Sequence, residues 1–349
     1  MTEKKKQNPN NTCECPECAK LHYSDYYVNM INIATEGLLQ KGLKDKKIAF
    51  SCGYNKAWPP IREKLKHPEM LLLTMAPISR TFGEPFPSEF KVKSLPTYEI
   101  NKYALPRSVD ENLASLYEWE QVFDGDIVDF DYHLMWDHIL DAGGEGIARI
   151  IHTDINNFEA LGLSGYISCQ LQRNSFPTSI AMTVMGKTLW NKNADFEAVR
   201  HRLYADSFGE GAKELKDYFE ILSNGFNIGH IRSQVKTDRK DFIDRLGKAV
   251  EAFENADEII NRHLNDENEC HRASWKYLSL HKAIYMPFAQ GLIEKLKGNN
   301  ELGDKLIKDS VKTAWEKEDE VQSVFDTFFY NDVVPFRVNL EKAAEFYDF

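Results

Sequence analysis

Basic residues are in deficit. The 349-residue chain carries 43 Lys and Arg against 54 Asp and Glu, a formal net charge of -11 with a pI near 5.5. An extended nucleic-acid surface needs clustered cations to neutralise phosphates, so that class of partner is not expected. Long apolar runs are also missing: no stretch approaches the roughly 20 apolar residues of a membrane span, and Met1 to Asn11 is polar and basic without the apolar core of a secretory signal. The chain as given therefore reads as cytoplasmic, with no membrane partner. Cysteine is scarce, six in all, and the spacing is not that of a disulfide framework: Cys13, Cys15 and Cys18 crowd one loop, while Cys52, Cys169 and Cys270 are scattered. Three crowded cysteines suit either thiols packed in a loop or three ligands of a tetrahedral zinc, with His22 as a fourth. No second Cys/His knuckle exists to complete a structural site of the usual two-part kind, and no cofactor is called for.

Apolar material is plentiful, at 42% hydrophobic and 12% aromatic residues, enough for one large domain or two ordinary ones. Tyr27, Met30, Ile31, Ala34, Leu38 and Leu39 form a helical stripe over residues 25 to 40, with Ser24 as N-cap. Four apolar runs read as buried strands: Ile48 to Tyr54, Met70 to Met75, Asp126 to Tyr132 and Gly165 to Gln170. Helical patterns separate them at Leu113 to Phe123 and over 145 to 161, the latter stopped by Gly162. The proline-rich stretch 84 to 107 is expected to be an irregular loop. This alternation predicts an α/β fold of parallel βα units. Beyond residue 180 the pattern turns helical, through Ile180 to Trp190, Phe196 to Ser207, Ala212 to Leu222 and Asp241 to Asn331. The expected division is an α/β part over 1–235 and an all-α part over 236–349.

Parallel sheets bind ligands beyond the carboxyl ends of their strands. The residues there are unusually polar: Tyr54 and Trp58 after the first run; Ser79, Arg80 and Glu84 after the second; Asp131, Tyr132, His133, Trp136, Asp137 and His138 after the third; Gln170, Gln172, Arg173 and Asn174 after the fourth. Sugars present hydroxyls around apolar C–H faces, so aromatic platforms beside Asp, Gln and Arg suit a carbohydrate ligand. The Asp and His residues of 131–138 also admit a hydrolytic metal reading, although Gln170 and Arg173 suit a neutral polyol better than a cation. Each residue alone has a bland alternative: Arg80 paired with Glu84, His133 satisfied in the core, Trp136 simply packed.

The Cys13-x-Cys15-x2-Cys18 loop and following helix, the stretch from Pro60 to Pro77-Ile78, Asp131-Tyr132-His133, the run Leu163-x-Gly165-Tyr166-Ile167-Ser168-Cys169-Gln170 through Leu189-Trp190, and Tyr204-x3-Phe208-Gly209 together resemble domain of unknown function 4838. That family is similar to the α-glucuronidase and β-hexosaminidase barrels of bacterial glycoside hydrolases. The resemblance runs over roughly residues 3 to 222. It implies a (β/α)8 barrel of which this chain holds the second half, the cysteine loop following the fourth strand, so that a homodimer or a separate N-terminal half would complete it. It also implies hydrolysis by a carboxylate pair. Asp131 and Glu3 are the catalytic candidates, with Asp137 and Glu84 in reserve. Tyr132, His133, Gln170, Gln172 and Arg173 would hold hydroxyls or a carboxylate, and Trp58 and Trp136 would stack on the sugar. The alternative is a non-catalytic sugar-binding or assembly subunit.

Overall fold

The structure, a computed structural model, describes residues 12–338 apart from 92, 103 and 216. It is α/β, with one four-stranded parallel sheet and a large helical region. Two compact units are interleaved along the chain. The first takes residues up to Thr81, then Pro87–Asp131 and Asn157–Ser168; the second takes Phe82–Phe86, Tyr132–Asn156 and everything from Cys169 onward.

In the first unit, helix α1 (Tyr23–Gln40) precedes β1 (Ile48–Cys52), β2 (Leu71–Met75), α2 (Val109–Glu120), β3 (Asp126–Asp131) and, later in the chain, β4 (Gly165–Ser168). The strands lie in sequence order, β1-β2-β3-β4, all parallel. The two inner strands are the most buried: β2 exposes little of Leu71 to Met75, whereas edge strand β4 leaves Ile167 38% exposed. Phe50 of β1 is the hub of the apolar packing, with ring centroids 6.5 Å from Tyr27 of α1, 6.1 Å from Trp119 and 5.6 Å from Phe123. Burying one such side chain contributes on the order of 1.5–3 kcal/mol.

Every predicted strand is present, each shorter than its apolar run suggests. Cys52 and Asp131 end strands because Tyr54 and the residues after Asp131 enter turns rather than the ladder. Helix α1 begins one residue before the expected N-cap: the Asp25 carboxylate, itself buried, accepts the His22 N–H at 2.9 Å, so His22 and not Ser24 caps it. The other Asp25 oxygen accepts the N–H groups of Arg62 and Glu63 at 2.7 and 2.8 Å, tying the loop before β2 to the start of α1. Helix α2 begins four residues before the expected Leu113, because Ser108 and Glu111 form a reciprocal cap at its N-terminus. Among the described residues no helix or strand occurs between Phe82 and Arg107, as the prolines predict.

The second unit is helical: α3 (Glu145–Asn157), α4 (Ile180–Trp190), α5 (Phe196–Phe208), α6 (Tyr218–Gly225), α7 (Ile228–Ile231), α8 (Arg239–His263), α9 (Glu269–Leu296), α10 (Asn300–Glu316), α11 (Glu318–Val321) and α12 (Thr327–Arg337). Helix α9 packs against both α8 and α10. It approaches α10 closely at Gly291, where an added Cβ would lie 2.9 Å from the Gly303 carbonyl oxygen. Around Phe226 cluster Phe253, Tyr285 and Phe288, with centroids 5.5 to 6.4 Å away. No helix among the described residues is long and apolar enough to cross a membrane.

Candidate functional site

The sequence-level candidates divide between the two units. In the first, the chain leaving β2 turns sharply at Ala76 to Arg80, with the Arg80 N–H bonded to the Pro77 carbonyl at 3.0 Å. This turn delivers the Arg80 guanidinium to Asp131 at the end of β3: Nη1 donates to Oδ2 at 2.9 Å, and both side chains are wholly buried. Nε donates to the Thr81 carbonyl at 3.3 Å. Beside the ends of β1 and β2 lies a cavity of about 10 Å³ lined by Cys52, Gly53, Met75, Ser79 and Asn112 among others. That holds one water, not a sugar ring. Trp58 is 3% exposed; its indole N–H donates to the Pro96 carbonyl at 2.7 Å, and its ring meets Tyr98 edge-on. It is a packing residue. Tyr54 falls in the turn Tyr54–Lys56, but its side chain lies outside the described residues, as does all of Glu3.

The candidates of the second unit are also engaged. Tyr132 and Trp136 stack on each other at 5.6 Å and are 8% and 7% exposed. His133 Nε2 lies 2.7 Å from Asp154 Oδ2 with both side chains wholly buried; the other Asp154 oxygen accepts the Phe86 N–H, and Phe82 covers the imidazole edge-on. Asp137 is buried and one of its carboxylate oxygens accepts from the Arg232 guanidinium. Burial pushes the neighbouring His138 down to about 4, so it is a neutral core histidine. Arg173 donates to Glu318 at 3.0 Å and meets Asp326 at 3.3 Å, which joins the segment after β4 to the start of α11 and α12. Of the strand-end set, Gln170, Gln172 and Glu84 stand exposed.

The sequence reading did not single out Glu145 or Asp141. Glu145, 1% exposed at the start of α3, accepts from Arg200 at 3.0 Å and from the Tyr204 hydroxyl at 2.8 Å. Asp141 accepts the N–H groups of Gly144 and Ile147 at 3.1 and 2.9 Å and so caps the same helix. Burial raises both carboxyls above their ordinary values. The signal in the sequence was Asp141-Ala-Gly-Gly-Glu145, an acidic cap before a helix. These groups are consumed by one another and by backbone, which is how a fold is held, not how a substrate is met.

A roomier space lies in the second unit among α9, α10 and α12. This groove of about 600 Å³ is lined by Lys295, Asp304, Ile307, Lys308, Val311, Lys312, Trp315, Asn331, Val334, Pro335 and Val338. Its size is that of a small-ligand site. Its floor is apolar, with Val334 fully buried, and its rim carries Trp315 at 55% exposure and the exposed Lys308 and Lys312. Lys295 is paired with Asp304 at 2.5 Å. The side-chain carbonyl oxygen of Asn331 is buried in this wall without a hydrogen-bond partner.

Among the described residues of the first unit, Cys13, Cys15 and Cys18 have sulfurs all within 4.8 Å of one another, close enough to share one metal ion. His22 is not one of that group; its Nδ1 is 2.7 Å from the Pro59 carbonyl oxygen. Neither a protein-family model, nor a curated protein, nor a solved structure matches the chain.

Proposed function

We propose that this chain is a carbohydrate-binding protein built on half of a glycoside-hydrolase-type barrel, and that it binds sugar without cleaving it. The observation that carries this reading is the Arg80–Asp131 pair. A glycosidase needs carboxyl groups that face the scissile bond, one able to hold a proton and one to attack or activate water. A carboxylate with no exposed surface, neutralised by a guanidinium at 2.9 Å, is suited to neither task. The barrel element of the reading is supported by strand order. Four parallel strands paired strictly in sequence suit successive βα units of a barrel, whereas doubly wound sheets reverse order at a switch point. Among the described residues β1 and β4 each pair on one side only, and an exposed edge residue such as Ile167 favours association with a second copy or a separate half-barrel.

The groove of α9, α10 and α12 is the binding surface in this reading. Trp315 offers an aromatic face and Lys308 and Lys312 two cations, a set suited to an acidic sugar such as a uronate. Incubation with a panel of aryl glycosides and glucuronoxylan oligomers tests the non-catalytic element: no turnover is expected. Turnover that disappears in Asp131→Asn while the fold persists would restore Asp131, with Glu3, as a hydrolytic pair.

A further inference from the structure

We propose that Cys13, Cys15 and Cys18 form a binding site for a thiophilic cation, zinc(II) above all, with three sulfur ligands on one turn and the fourth position left to water or an external ligand. Binding converts three thiols and a hydrated Zn2+ into a zinc tris-thiolate with one bound water, and the three thiol protons pass to solvent. No oxidant or reductant is consumed.

The geometry is close to what zinc requires. With Zn–S bonds near 2.3 Å a tetrahedral ion holds its sulfurs roughly 3.8 Å apart, and the three sulfurs already lie within 4.8 Å of one another. They belong to a tight turn in which the Ala19 N–H bonds to the Cys15 carbonyl at 2.9 Å and the Leu21 N–H to the Cys18 carbonyl at 3.1 Å. Cysteine as a structural apolar residue is buried. Here Cys13 and Cys15 are exposed and Cys18 is half-buried, so packing does not account for them and an ion can reach them.

Two further features prepare the sulfurs. Polar groups lie near them: the N–H groups of Cys18 and Glu17 are close enough to act on the Cys15 sulfur, and the Tyr26 hydroxyl on that of Cys18, the kind of neighbour that steadies a metal thiolate. The loop is also clamped from outside. Asn101 accepts the Thr12 N–H at 3.1 Å and donates to the Thr12 carbonyl and the Glu14 carboxylate at 2.8 Å each. It does so at φ 59°, a left-handed conformation that a non-glycine residue adopts at a cost. Loop and clamp hold the three sulfurs in place before any ion arrives.

The full chain, reduced and stripped of metal by chelating resin, would be titrated with Zn2+ and, for an optical signal, with Co2+ under anaerobic conditions. The expected result is one metal per chain, with the sulfur-to-cobalt charge-transfer absorption of a tetrahedral thiolate site. Cys13→Ser, Cys15→Ser and Cys18→Ser should each weaken binding at least tenfold, whereas Cys270→Ser, at the other exposed cysteine, should leave it unchanged. Sub-stoichiometric binding by fully reduced protein, a cobalt spectrum that survives Cys15→Ser, or formation of a disulfide within the trio in place of metal uptake overturns the proposal.

Discussion

Arg80 and Asp131, which follow and end consecutive strands of the sheet, meet at 2.9 Å with no part of either side chain exposed to solvent. Removing one member breaks a wholly buried ion pair and leaves the remaining charge short of its counter-ion at 2.9 Å, at a cost of about 3–5 kcal/mol. Arg80→Met and Asp131→Asn should each lower the urea midpoint accordingly. The double variant Arg80→Met/Asp131→Leu, which removes both charges, should recover most of the loss. Two single variants that unfold like the parent would show that the pair does not hold the strand ends together.

Stability should fall on acidification through a window set by buried histidine. Desolvation depresses His138 from 6.5 to about 4 and His281 to about 3. The unfolded chain therefore takes up protons that the folded chain refuses. The neutral forms impose no penalty above pH 6.5, and stability is lost as pH drops from there towards 4. His138 alone accounts for a loss of order 3 kcal/mol across that interval. Asp141 and Glu145, raised by burial, act in the opposite sense and lose stability as pH rises past their unfolded values. Comparing the parent with His138→Gln by urea melts at pH 7 and pH 4.5 isolates the histidine: the variant should show the smaller drop, and equal drops would contradict the assignment.

The cysteines should separate by reactivity. Hydrogen bonds from Cys18 and Glu17 lower the Cys15 thiol from 9.0 to about 7, whereas burial pushes Cys52 up to about 12. In metal-free protein, iodoacetamide should label Cys15 with a midpoint near pH 7 and leave Cys52 untouched until the chain unfolds. Peptide mapping after timed labelling reads both rates. Labelling of Cys52 at the rate of Cys15 would contradict the burial assigned to it.

The strands were legible because their runs are nearly unbroken, Leu71-Leu72-Leu73 most plainly, and the run is too short for a helix before it breaks at Ala76-Pro77. Their ends were less so. Tyr54 and Tyr132 are strand-like residues that leave the ladder for turns, a choice made by tertiary packing and not by propensity. Sequence placed Arg80 and Asp131 at strand ends, but not in each other's company: a polar residue after a strand looks the same whether it awaits a ligand or closes an ion pair 51 positions away. Arg173 is the sharper example, because its partners Glu318 and Asp326 lie about 150 residues on, in helices with no periodic signal of the pairing. The groove was illegible for the same reason. Its lining is drawn from α9, α10 and α12, and only folding brings Trp315 near Asn331.

The most direct test of the binding account is calorimetric titration of the full chain with glucuronate oligomers, alongside Trp315→Ala and the charge-reversed Lys308→Glu/Lys312→Glu. The account predicts saturable binding that weakens with added salt, falls at least tenfold in Trp315→Ala, and is lost in the double variant. Binding of equal strength in all three proteins, or none in the parent, would contradict it.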